Sequence, residues 1–148
     1  MRNAILGVLL ALVILLALAF AAYANTLVLG DSIALGAGRA LHEPTIARSG
    51  MSSCWVLRHA PRHFYDRVVL SAGINDGGGC VAALRARVHA REVIWVLPAP
   101  INAGRAAVER AMRPGDRAVS YACRGGCTKT NFHPASYPAL ANAIRRVW

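Results

Sequence analysis

The chain is poor in negative charge and nearly devoid of lysine. Seven Asp and Glu stand against 17 Lys and Arg in 148 residues, and Lys129 is the single lysine. It has no C-x-x-C pair, no internal repeat, no low-complexity tract and no interdomain linker. The first absence weakens a zinc reading of the cysteines, and the others leave one compact domain. No RNA- or DNA-binding motif accompanies the arginines, so nucleic acid is not an expected partner. Gly77-Gly78-Gly79 lacks the G-x-x-x-x-G-K-[ST] spacing of a phosphate cradle and reads as a mobile rim. His42, His59, His63 and His89 show no spacing that suggests a metal, and neither metal nor cofactor is expected.

The one long hydrophobic run comes first. Ala4 to Ala24 carries no charge and ends in Ala22-Tyr23-Ala24, an A-x-A pattern of the kind cut by signal peptidase. The run is also long enough to span a bilayer. Residues 1–24 are therefore expected to be a signal peptide, with a retained membrane anchor as the alternative. Cleavage after Ala24 is favoured, because the strand-like Thr26-Leu27-Val28-Leu29 follows with almost no linker. Either outcome keeps Arg2 inside and exports the domain, residues 25–148, to a periplasmic or secreted location. Without Arg2, 16 of the 17 basic residues remain against 7 acidic. Such an excess is either a solvated surface rich in arginine or an attraction to anionic envelope polymers or lipid headgroups.

Four cysteines in an exported chain suggest disulfides, with three connectivities open. Cys123 and Cys127 enclose only Arg124-Gly125-Gly126, a flexible linker that lets a small loop close. Pairing these two leaves Cys54 with Cys80.

Short apolar runs alternate with helix-like stretches. Strands are expected at Thr26–Gly30, Thr45–Arg48, Arg67–Ser71, Glu92–Leu97 and Arg117–Tyr121. Helices are expected at Ser32–Leu41, Cys54–Ala60, Cys80–Ala90, Ala103–Met112 and Ala135–Val147. The third and fourth strands are continuous apolar runs rich in β-branched residues, as in central parallel strands buried on both faces. The alternation predicts right-handed crossovers and a three-layer α/β/α sandwich of about five parallel strands, flavodoxin-like in type. Residues with chemical potential fall just after the strands or before the last helix. Ligands of open α/β sheets bind outside the carboxyl ends of the strands.

Those residues are, in order, Ser32, Gly50, Asn75 and His133. A serine, a base and donors for an oxyanion are the parts an acyl-transfer site needs. Four blocks carry them: V-L-G-D-S-I-A-L-G (Val28–Gly36), R-S-G-M-S-S around Gly50, G-I-N-D (Gly73–Asp76) and N-F-H-P (Asn131–Pro134). In that order they resemble the SGNH hydrolases, also called GDSL-type esterases and lipases, over essentially all of Thr26–Trp148. The resemblance implies Ser32 as nucleophile and His133 as base and later acid. It also implies an oxyanion hole made of the Ser32 and Gly50 N–H groups and the Asn75 side-chain amide. Asp31 and Asp76 read as structural carboxylates, Trp55 and Trp95 as core, and Pro98-Ala99-Pro100 as part of the rim.

One block departs from the family. Three residues before its histidine the family has aspartate; here Thr130 stands. In triads generally, loss of the acid costs about 10⁴-fold in rate. A main-chain carbonyl near Thr130 is the favoured replacement for orienting His133. Thr130 Oγ, Asp116 and Asp76 are the alternatives. The function implied is that of an exported serine esterase or deacylase acting without cofactor on short O-acyl groups of envelope glycans. A lysophospholipase or thioesterase, or an inactive SGNH-like glycan-binding protein, is the alternative. The substrate ester, as acylated glycan or lipid, is the expected partner, with a membrane involved only if the anchor is retained.

Overall fold

The computed structural model describes residues 25–128 and 130–148. The leader or anchor expected over residues 1–24 lies outside the described residues. Five strands form one parallel sheet: β1 (Thr26–Gly30), β2 (Thr45–Ala47), β3 (Tyr65–Ser71), β4 (Ala90–Val96) and β5 (Arg117–Val119). Their order across the sheet is β2-β1-β3-β4-β5. The helices are α1 (Ser32–Leu41), α2 (Ser53–His59), α3 (Val81–Arg87), α4 (Gly104–Ala111) and α5 (Tyr137–Arg145).

Side chains alternate across a strand, so β1, β3 and β4 each feed two cores. Leu27, Leu29, Val68, Leu70, Val93 and Trp95 pack under α2, α3 and α4, with Val56, Val81, Leu84 and Val108. Val28, Val69, Ile94 and Val96 pack under α1 and α5, with Ile33, Ala37, Leu140 and Ile144. The result is the expected α/β/α sandwich. Trp95 lies in this core without exposure, whereas Trp55 is only half-buried and stacks on His59 at 3.9 Å.

Several boundaries moved by one to three residues, and three of the shifts have identifiable reasons. The helix expected over Cys80–Ala90 stops at Arg87. Val88 closes it by donating to the Leu84 carbonyl and then turns extended. Ala90 is drawn into β4 by pairing with Tyr65. The last helix starts at Tyr137, because Ser136 caps it by accepting from Ala139 N–H while Ala135 donates to the Ala122 carbonyl. Trp148, which carries no signal in the sequence, lies under the Arg67 guanidinium at 4.5 Å.

Asp116, one candidate for a displaced catalytic acid, is held at the amino-terminal end of β5. Arg85 Nη2 and Nε donate to its two oxygens at 2.7 and 2.8 Å, and the Trp95 indole donates at 3.2 Å. Burial pushes its carboxyl up, but these donors and the Arg113 N–H outweigh burial and leave it below the ordinary value. Its side chain is 3% exposed and that of Arg85 11%. Asp116→Ala strands a buried guanidinium and the Trp95 N–H, so it should cost about 3–5 kcal/mol. Urea unfolding of the purified variant measures this; a loss below about 1 kcal/mol, the worth of a surface pair, would show that the ion pair is not a buried anchor.

Candidate active site

The carboxyl ends of β1, β2 and β3 and the loop before α5 bring the four blocks to one end of the sheet. Gly30 ends β1 so close to β3 that a Cβ would overlap the Ser71 carbonyl oxygen. Asp31 then caps α1, with Oδ1 accepting from Ile33 N–H at 3.0 Å and from the Ser71 hydroxyl at 2.9 Å. Ser32 is the first residue of α1. Its side chain is thus presented at a helix N-terminus, where backbone N–H groups lack helical partners and favour negative charge.

Ser32 Oγ lies 2.9 Å from His133 Nε2 across 101 residues of sequence. With the imidazole proton on Nδ1, the hydroxyl donates to Nε2, the direction that general-base removal of that proton needs. His133 is exposed, and Phe132 leans on its ring at 5.1 Å.

The Asn75 amide donates to the Met51 carbonyl at 2.9 Å, which ties the third block to the second. An amide carries two N–H donors, so one remains for a ligand. Gly50 has φ +74°, and a Cβ there would meet nothing within 4 Å. The glycine is required by its left-handed backbone; the space over it is open to an approaching ligand. Asp76 fixes the same two loops, accepting from Ser53 N–H at 2.8 Å, the Ser53 hydroxyl at 2.7 Å and Gly78 N–H at 3.2 Å. Ser53 Oγ in turn accepts from Cys80 N–H at 2.9 Å, beside the Cys54–Cys80 disulfide. Asp76 is thus committed to loop structure, as its reading as a structural carboxylate expected.

The His133 loop is held from several sides. Cys123 is bonded to Cys127, and Cys123 also bridges to Pro134 in the sheet-like manner. Inside that loop the Asn131 amide donates to the Arg124 carbonyl at 2.6 Å and the Gly126 carbonyl at 3.0 Å. The Tyr121 hydroxyl donates to the Phe132 carbonyl at 2.7 Å. Asn102 performs a similar task between the post-β4 loop and the Asn75 block, donating to the Ile74 carbonyl at 3.1 Å. Tyr121 and Asn102 escaped sequence reasoning, and Asn131 entered it only as part of the N-F-H-P block, without a role. The only signal was the asparagine two residues before His133, which reads equally as a turn residue.

Thr130 does not orient His133 through its hydroxyl, which lies 3.4 Å from the Thr128 hydroxyl. Asp76 and Asp116 are engaged as described. Among the described residues, the hydrogen bond to Ser32 is the one the His133 ring makes. Beside the loop, Ile101, Asn102, Ala103, Thr128 and Phe132 line a cleft of about 240 Å³. No cluster of His, Cys, Asp or Glu among the described residues could hold a metal.

Asp31 is fully buried, and its Oδ2 has no hydrogen-bond partner. Burial pushes its carboxyl from 3.8 up to about 6, against the lowering effect of its Ser71 and backbone donors. Burial, and then the nearby Asp31 charge, also push the Tyr121 and Tyr137 hydroxyls up. The fold therefore prefers neutral Asp31. That contribution is fully present below the unfolded carboxyl value and is lost as pH rises through about 6. Asp31→Asn keeps a cap without the charge. Its stability relative to the parent should improve by roughly 3 kcal/mol between about pH 4 and pH 7. Urea unfolding across that range measures it; a pH-independent difference would mean the carboxyl titrates normally.

No protein-family model, curated protein or solved structure matches this chain.

Proposed function

We propose that the chain is a serine ester hydrolase of the SGNH type, using Ser32 and His133 as a dyad. The observation that carries this reading is the 2.9 Å contact between Ser32 Oγ and His133 Nε2. The Ser32 oxygen attacks the ester carbonyl as His133 takes its proton. The oxyanion is met by the Ser32 and Gly50 N–H groups and the second Asn75 N–H. His133 returns the proton to the departing alcohol, and water repeats the sequence on the acyl-enzyme. Without an acid at position 130, the imidazolium is stabilised by solvent at the exposed ring. An ester leaves more readily than an amide and tolerates a weaker base.

The substrate class proposed is a short O-acyl group on an envelope glycan. Five short strands and five short helices leave little chain to build a deep acyl tunnel, which supports a short acyl group. Both disulfides are compatible with an exported domain. A second reading, a glycan-binding protein without turnover, draws on the lack of a carboxylate on His133 among the described residues.

An organophosphonate ester should label the parent and not Ser32→Ala, and short p-nitrophenyl esters should be hydrolysed only by the parent. Equal labelling would sink the nucleophile assignment. Absence of any Ser32-dependent turnover would favour the binding protein. Asn75→Ala should lower kcat by roughly 10²–10³-fold with little change in KM, because the donor acts on the transition state. Thr130→Ala should change kcat only modestly; a loss near 10⁴-fold would make Thr130 the orienting group.

A further inference from the structure

In a parallel sheet all crossover helices end at the same edge, here the edge opposite Ser32. Every helix places an arginine in its last turn there: Arg39, Arg58, Arg87, Arg110 and Arg145, on α1 to α5 in turn. Cations at helix C-termini complement the helix dipole, which accounts for one arginine per helix. It does not account for Arg62 or Arg113, which lie at the same edge outside any helix. The five carboxylates at this edge leave most of the arginines uncompensated. Four of them, Asp66, Glu92, Glu109 and Asp116, are committed to Arg91, Arg67, Arg117, Arg105 and Arg85. Among the described residues, Arg39, Arg58, Arg62, Arg110 and Arg145 form no ion pair with a carboxylate.

An exposed aromatic stands in this field. Phe64 is 59% exposed, the most exposed large apolar side chain described, and it follows Arg62 and His63. The chain also enters here. Asn25 N–H donates to Asp66 Oδ2 at 3.1 Å, and the Asp66 and Arg67 N–H groups donate to the Asn25 carbonyl. The uncharged stretch Ala4–Ala24 therefore joins the domain beside Asp66, two residues along the chain from Phe64. A basic surface with a protruding aromatic has the chemistry of an interfacial membrane contact. Arginines meet anionic headgroups, and the ring enters the headgroup level.

We infer that this pole docks on an anionic phospholipid surface and holds Ser32 on the far side of the domain. The docking does not depend on the hydrolase reading. Combined with it, the site faces away from the bilayer and takes substrate from the aqueous side, which disfavours membrane lipid as the ester.

Asn25–Trp148 contains all five strands, both cores and both disulfides, so the chain lacking residues 1–24 isolates the surface from the apolar segment. Sedimentation with phosphatidylcholine vesicles, with or without phosphatidylglycerol, reads the docking. Binding should require the anionic lipid and fall as salt rises. The pair Arg58→Gln and Arg62→Gln should weaken it by about fivefold per arginine lost. Phe64→Ser should weaken vesicle binding while leaving binding to soluble heparin unchanged. Arg124→Gln, on the Ser32 side, should have little effect. Equal binding to neutral vesicles overturns the proposal, as does an Arg124→Gln loss as large as that of the pair. Vesicle binding indifferent to Phe64→Ser and abolished by equimolar heparin would assign the surface to an anionic polymer instead.

Discussion

Burial of β1, β3 and β4 on both faces is the constraint on which the rest of the molecule depends. Leu27 and Leu29 face one core and Val28 the other, and β3 and β4 repeat the division. No position inside such a strand has room for an unpaired polar group. Polar function is therefore forced beyond the strand ends, where loops meet water. Ser32, Gly50 and Asn75 arrive at one end because three parallel strands deliver them there.

That delivery is coarse, and the loops refine it. The Ser53–Asp76–Cys80 hydrogen bonds and the Cys54–Cys80 disulfide fasten the Gly50 and Asn75 blocks to each other. The Cys123–Cys127 loop, filled by the Asn131 amide, shapes the approach to His133. In so small a domain, the cross-links replace the layers of insertion that larger folds use to brace a site. Asp31 shows the opposite tendency. A carboxyl sealed beside the site with an unpartnered oxygen works against stability at neutral pH. Its cap and its bond to Ser71 tie the first turn of α1 to β3, which is what aims Ser32 outward.

The charge is divided between the two ends of the sheet. Of the seven carboxylates, Asp31 and Asp76 stand at the Ser32 end and both are absorbed into local hydrogen bonding. The other five share the opposite end with most of the arginines, which still outnumber them. A strongly positive sequence is thus resolved into one end of modest charge carrying Ser32 and His133 and one basic end carrying Phe64.

The amino-acid order by itself determined the strand–helix alternation, the two-faced burial of the central strands, the four blocks and the short Cys123–Cys127 loop. Each of these is written in local periodicity or in short spacing. Tertiary structure alone decided the partners of the polar side chains. Beside a main-chain carbonyl, the Thr130 hydroxyl, Asp116 and Asp76 were all candidates for orienting His133 in one dimension. In three, Asp116 is drawn to Arg85 at the far edge of the sheet, and the Thr130 hydroxyl lies against Thr128. Asn131, Asn102 and Tyr121 became visible only when their carbonyl partners were brought beside them. The arginines likewise read only as an overall excess until the parallel crossovers gathered every helix end to one pole. Hydrophobic burial repeats along the chain and leaves a pattern to read. A hydrogen bond or a surface field depends on which distant segments meet, and that is fixed only when the sheet closes.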